Sequence, residues 1–318
     1  MSLNSPTLPA LEGAVRLADW GVIRAMGEDT RKFLHGQLTQ DVEHLEEGHA
    51  RLAGYCSPKG RLLATFVMWQ RGKDEVLLAC SADVLPAVLK RLQMFVMRAK
   101  CKLSDASAEL PLWGLAGTTT LHAMADAAPA LPWGRIGTEV ADAVRLPDAA
   151  AAGTAVPRLL WAGATLPASP ALPELPPDTW RWLEVMSGVP RVTQATAEQF
   201  VPQMVNLELV GGVNFQKGCY PGQEIVARSQ YRGTLKRRGQ VLQSSVALVP
   251  GQEVFTDGDP EQPAGMVVLA GSLPGGEHAA LVELKLSALA AGVLHADSAS
   301  GPVLTLAALP YAIPAEAA

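Results

Sequence analysis

The chain has 318 residues, 48% of them hydrophobic, a formal net charge of −5 and a pI near 5.7. That length allows two or three domains with a core that needs no staples, and the acidic balance excludes wholesale nucleic-acid binding, which announces itself as a basic excess. Cysteines at 56, 80, 101 and 219 form no C-x-x-C pair, which excludes a zinc ribbon or disulfide framework and fits reduced thiols. Met1 to Ala10 lacks a basic n-region and an apolar h-region, and no stretch reaches the roughly 18 apolar residues of a membrane span. A soluble cytoplasmic protein is expected.

Residues 14–24 read as strand, tight turn and strand, and Gly27-Glu28-Asp29 opens a short helix through Phe33 and Leu34. Leu62 to Trp69 and Glu75 to Cys80 read as a hairpin around Arg71-Gly72-Lys73-Asp74. Across Asp83 to Met97, the residues Leu85, Val88, Leu89, Leu92, Phe95 and Val96 recur at helical spacing and give one face to pack on that sheet. A weaker repeat of the theme follows, with a strand at 112–115, a helix at 118–127 and a strand at 141–145. The Ala- and Pro-rich stretch from Ala149 to Asp178, with Pro170, Pro173, Pro176 and Pro177, predicts a connector at its end. Trp180 to Met186 reads as a helix stopped by Ser187-Gly188-Val189-Pro190. After Arg238, six short apolar runs between turns predict a small β-barrel or sandwich. The expected fold is α+β: two related α+β subdomains in residues 1–238, the second over roughly 105–175, then a C-terminal barrel over 239–318.

One run looks chemical. Lys217-Gly218-Cys219-Tyr220-Pro221-Gly222-Gln223-Glu224 sets a lone cysteine before a helix start, with Pro221 suited to the first helical position and Glu224 to the first turn. Free N–H groups of that helix and the Lys217 ammonium would both favour thiolate over thiol. A cysteine beside Tyr220 also has the plainer reading of a small buried hydrophobe.

The segment from Gln199 to Arg238, with this K-G-C-Y-x-G-Q-E run, resembles the YgfZ-type folate-binding proteins, relatives of the glycine-cleavage T-protein. Phe33-Leu34-His35-Gly36-Gln37-Leu38-Thr39-Gln40-Asp41-Val42 and Tyr55-Cys56-Ser57-Pro58-Lys59-Gly60-Arg61 support it. The resemblance implies two related α+β subdomains and a C-terminal barrel around a central cleft. It also implies a tetrahydrofolate-binding helper of iron–sulfur cluster assembly or repair, acting thereby on tRNA modification, with iron–sulfur proteins as partners. The T-protein's catalytic aspartates would fall in Arg61-Leu62-Leu63-Ala64-Thr65-Phe66, which contains no carboxylate, so aminomethyl transfer loses its positioning charge. A folate-dependent one-carbon transferase and a direct tRNA-binding factor stand as the alternatives.

Folate needs aromatic walls, amide-type partners and some positive charge. Trp20 and Trp180 match tryptophan positions that contact folate in the family, with Trp182 as a rival for the second; core packing is the plainer role of all three. Gln203 and Asn206 are amide candidates whose plainer role is holding a turn. Many relatives carry a glutamate two residues before the glycine of the W…G-x-P segment, where this chain has Met186; Glu184 is expected to face elsewhere. Six basic residues between Lys217 and Arg238 (Lys217, Arg228, Arg232, Lys236, Arg237, Arg238) stand against Glu224 alone, a strip suited to a polyglutamate tail or to RNA, or else a solvated face with structural ion pairs.

Overall fold

A computed structural model describes residues 11–124, 127–166, 171–231 and 235–314. Met1 to Ala10, Pro170 and Arg232, which carry part of the leader, connector and basic-strip readings, lie outside the described residues.

Strand β1 (Gly13–Arg16) leaves at once for a distant sheet, and the turn at 17–19 delivers β2 (Trp20–Met26), from which the first subdomain grows. Its sheet adds β3 (Ala50–Cys56), β4 (Leu62–Gln70), β5 (Glu75–Ser81) and β6 (Lys102–Asp105) in the order β3-β4-β5-β2-β6, all neighbours antiparallel. Helices α1 (Thr30–His35) and α2 (Leu85–Val96) cover one face. Strands β3, β4 and β5 are buried at nearly every position because both faces are covered. In β5, Val76, Leu78 and Cys80 point into the helix-covered core, while Leu77 and Ala79 point into the core shared with the rest of the molecule. On α2, Leu85, Val88 and Leu92 are buried as expected, but Phe95 is turned outward and stacks with Arg91.

The second sheet has the order β1-β7-β10-β9-β8, from β7 (Leu112–Ala116), β8 (Arg135–Gly137), β9 (Ala141–Ala151) and β10 (Thr154–Gly163), with α3 (Thr118–Ala123) after β7. The Ala/Pro-rich stretch is therefore not only a connector. It contains β10, the central strand of this sheet, where Pro157 is accommodated at a register shift between Val156 and Arg158.

Helix α4 (Pro177–Met186) is wedged between the second sheet and the C-terminal barrel, so seven of its ten residues are buried rather than one stripe. Two glycines make the wedge possible. A Cβ on Gly114 of β7 would fall 2.6 Å from the Trp180 indole, and one on Gly271 of the barrel would strike the Trp182 backbone. After α5 (Gln223–Tyr231), six strands close the barrel: β11 (Arg237–Ser244), β12 (Glu253–Thr256), β13 (Gly265–Ser272), β14 (His278–Lys285), β15 (Leu294–Ala296) and β16 (Val303–Ala307), ordered β11-β14-β13-β12-β15-β16. One apolar cluster runs from Val22, Leu52 and Trp69 of the first sheet through Leu160 and Trp180 to Val241 and Leu281 of the barrel. The three parts thus share a core, and the cleft lies where the two sheets and the end of α4 meet.

Candidate functional site

Where the inner face of the first sheet meets β9, β10 and the end of α4 lies a small cavity of about 30 Å³. Trp20, Phe66 and Trp133 supply flat apolar wall, and Arg158, Glu184 and Arg191 supply charge. The seam explains why charge survives here: these side chains leave apolar elements at a place where the two sheets do not quite meet.

Arg191 organises the wall. Its Nε and Nη2 donate to the two oxygens of Glu184 at 3.0 and 2.9 Å, Nη2 also reaches Asp19 at 3.1 Å, and Nη1 donates to Ser81 Oγ at 2.9 Å. The guanidinium lies 4.8 Å from the Trp20 ring centroid, which fixes that indole against the cavity. Burial opposes the charge on Arg191, but Glu184 and Asp19 outweigh it and hold the proton more tightly than usual. Burial likewise pushes the Asp19 carboxyl up, and Arg191 with Arg181 pulls it below its ordinary value. Helical phase points Glu184 away; the bidentate pair instead turns it into the cavity. Met186, at the position where the resemblance implies a glutamate, is buried in the apolar core and does not line the cavity.

The two tryptophans differ. Trp20 lines the cavity, whereas Trp180 is 1% exposed and lies behind it, 5.6 Å beneath the Arg158 guanidinium. Trp182 is equally buried, on the barrel side. Gln203 and Asn206 are fully buried away from the cavity lining. Gln203 donates to Val226 O at 2.8 Å and so holds α5; Asn206, in the left-handed region at φ 59°, donates to Gly239 O at 2.8 Å and accepts from Gly239 N at 3.2 Å, tying its turn to β11.

The three sequence motifs, far apart in the chain, converge around Cys219. Asn214 N donates to Thr39 O at 2.9 Å, Thr39 Oγ1 to Gly212 O at 2.6 Å, and Gln40 Nε2 to Gly211 O at 2.6 Å. Gly222, at φ +79°, sits on Gly60, at φ +70°, so closely that a Cβ would fall 2.6 Å from Gly60 Cα. That left-handed residue also explains a shift: Pro221 and Gly222 form a turn, and α5 begins at Gln223, not at Pro221. Cys219 is exposed, four residues before the helix, and makes no hydrogen bond among the described residues. Lys217 turns inward rather than pairing with the thiol. Its Nζ donates to His35 O and to Leu38 O, the latter at 3.0 Å, and lies 4.9 Å from the Tyr220 ring centroid. Burial pushes the Lys217 ammonium down to about 8, against the fields of Asp41, Cys219 and Glu43.

The basic strip is partly spent. Arg237 donates to both oxygens of buried Glu283 at 2.8 Å, and Arg238, itself buried, pairs with Glu208 and donates to Gln203 O. Arg228 and Lys236 remain exposed. Sequence reasoning missed Arg158 and Arg191. The signal available for Arg158 was a lone arginine in the apolar run Val156-Pro157-Arg158-Leu159-Leu160-Trp161; for Arg191 it was a charge directly after Gly188-Val189-Pro190.

Two antiparallel sheets with their helices meet at a charged, aromatic cavity and share one core with a closed barrel, a fold found in a solved aminomethyltransferase. A crystal structure of the glycine cleavage system aminomethyltransferase T from Bartonella henselae matches with a TM-score of 0.72 over 95% of this chain and 87% of that chain, at 15% identity. Among curated proteins, the tRNA-modifying protein YgfZ of Photorhabdus laumondii is 30% identical over 98% of this chain and 95% of its own length. That of Hamiltonella defensa is 32% identical over 78% of this chain and 74% of its own. No family model matches. The chain belongs to the YgfZ family. No helix among the described residues is long and apolar enough to cross a membrane.

Proposed function

We propose that this chain is a tetrahydrofolate-binding accessory protein of the cytoplasm that supports iron–sulfur cluster assembly or repair and, through it, tRNA modification. The observation that carries this reading is an aromatic cavity whose one lining carboxylate, Glu184, has both oxygens occupied by Arg191. The cavity's aromatic walls suit a planar ring, but among the described residues no free carboxylate remains in the lining to steer an amine, as a transferase requires. Trp20 forms a stacking wall, and Trp180 lies behind the cavity against Arg158. Gln203 and Asn206 fix α5 and the turn that carries the signature loop, Lys217 anchors that loop, and Cys219 is the functional thiol offered to iron–sulfur partners. Binding and thiol chemistry are thus separate offices. The relatives' description as tRNA-modifying proteins supports the tRNA end of the reading.

Titration with tetrahydrofolate tests it. Tryptophan fluorescence should quench saturably, and Trp20→Ala and Trp180→Ala should weaken the response; unchanged binding in both variants would place the site elsewhere. In cells, folded Cys219→Ala should fail to support cluster-dependent tRNA-modifying enzymes, and full support by that variant would remove the thiol from the mechanism.

A further inference from the structure

Arg158 on β10 is a charge that the fold does not neutralise locally. Its residue is 3% exposed, yet its hydrogen bonds go to a single backbone oxygen: Nε and Nη2 converge on Pro147 O at 3.1 and 2.9 Å. The nearby anions are committed. Glu184 is held by both arms of Arg191, and Asp148 is taken by Arg145 at 2.5 Å. Burial accordingly pushes the Arg158 guanidinium down to about 10, with Arg145 adding to the effect and Glu184 opposing it.

A guanidinium has five N–H groups in a rigid planar fork. Nε and the Nη2 hydrogen beside it form the side edge, which is the edge that Pro147 occupies. The end of the fork, Nη1 with the outer Nη2 hydrogen, has no protein acceptor among the described residues, and Arg158 lines the cavity. The Trp180 ring packs against the guanidinium, its centroid 5.6 Å from Cζ.

We propose that the free end of Arg158 is the cavity's ligand grip, and that it takes a planar group presenting two acceptor atoms, either a carboxylate or the oxo and imine edge of a pterin. Paired N–H groups match the oxygens of a carboxylate, and they match the oxygen and ring nitrogen of a fused heterocycle in the same way that arginine reads guanine. The identity of the ligand as a folate rests on the function proposed above; the two-acceptor grip does not. The two sources of acceptors differ in one respect. Full reduction of a pterin puts a hydrogen on the ring nitrogen and removes one acceptor, whereas a carboxylate is indifferent to ring oxidation.

The experiment uses the full chain, Arg158→Lys, which keeps the charge and loses the fork, and Arg158→Gln. Dihydrofolate, tetrahydrofolate and benzoate are titrated by tryptophan fluorescence, with circular dichroism as the check on folding. Arg158→Lys should weaken folate binding at least about tenfold, and benzoate should compete with folate in the wild type. Tighter dihydrofolate than tetrahydrofolate binding identifies the pterin edge as the gripped group; equal binding identifies the carboxylate. Folate binding that is the same in both folded variants as in wild type would overturn the grip and leave the folate reading standing. Benzoate binding that depends on Arg158, with no response to either folate, would do the reverse. If neither variant folds, failure of benzoate to compete in the wild type overturns the grip.

Discussion

The Arg191 and Glu184 pair offers the sharpest test of how the cavity wall is built. Both residues are nearly inaccessible, at 6% and 5%, and Glu184→Gln preserves volume while replacing one accepting oxygen by a donor that faces a guanidinium N–H. Removing one member of a buried pair costs about 3–5 kcal/mol, because the surviving charge stays desolvated. Here Asp19, 3.1 Å from Arg191 Nη2, still compensates part of that charge, which places the expected loss near the low end, about 3 kcal/mol. For a chain of this size that corresponds to a fall in Tm of roughly 5–8 °C. The double variant Glu184→Gln with Arg191→Met removes both charges, and its cost should fall short of the two single costs added together by at least about 1 kcal/mol. Thermal unfolding followed by far-ultraviolet circular dichroism measures all three. A Glu184→Gln protein within about 0.5 kcal/mol of wild type, or strictly additive single costs, would refute the view that this pair holds the wall.

Two further outcomes follow from the loop around Cys219. In the native protein, iodoacetamide near neutral pH should label Cys219 first, while Cys56 and Cys80, buried and pushed up to about 12, stay unmodified until unfolding. Peptide mass spectrometry reads this, and labelling of either buried thiol ahead of Cys219 would contradict the placement. Lys217 gives a pH signature, because its folded value of about 8 lies below its ordinary 10.5. Between those values the unfolded chain binds more protons than the native one, so Lys217 makes stability rise with pH across that window. Lys217→Gln should lose that increment in urea midpoints measured from about pH 8 to 10; an unchanged slope would show that the ammonium is not desolvated.

The barrel was legible in sequence because each of its strands is short, apolar and bracketed by turns, so local pattern and fold agree. The first subdomain was legible for the same reason at β4, β5 and α2. What stayed hidden depended on distant partners. β10 reads locally as Ala- and Pro-rich linker, and becomes a strand only because β7 and β9 flank it on either side. β1 reads as the first arm of a hairpin with β2, yet its register partner is β7, from Gly13 opposite Ala116 to Arg16 opposite Trp113. Glu184 could not be oriented by helical phase, since α4 is buried on several sides at once and only Arg191, beyond the helix end, decides which face carries charge.

The same dependence on distant partners explains why the signature run was informative and its local physics was not. Read alone, Lys217 and the helix start act on the thiol. In the fold, Lys217 serves His35 and Leu38, Gly222 serves Gly60, and the run as a whole clamps the three motifs into one surface. A side chain that sat in such a clamp for packing alone would be drawn into it, as Tyr220 is. Cys219 is left outside, exposed like Gly218 and Glu224, between an anchored lysine and a buried tyrosine. The clamp therefore spends its polar and apolar neighbours on rigidity and presents one thiol to solvent, which is the arrangement expected where a cysteine must meet a partner rather than a bound substrate.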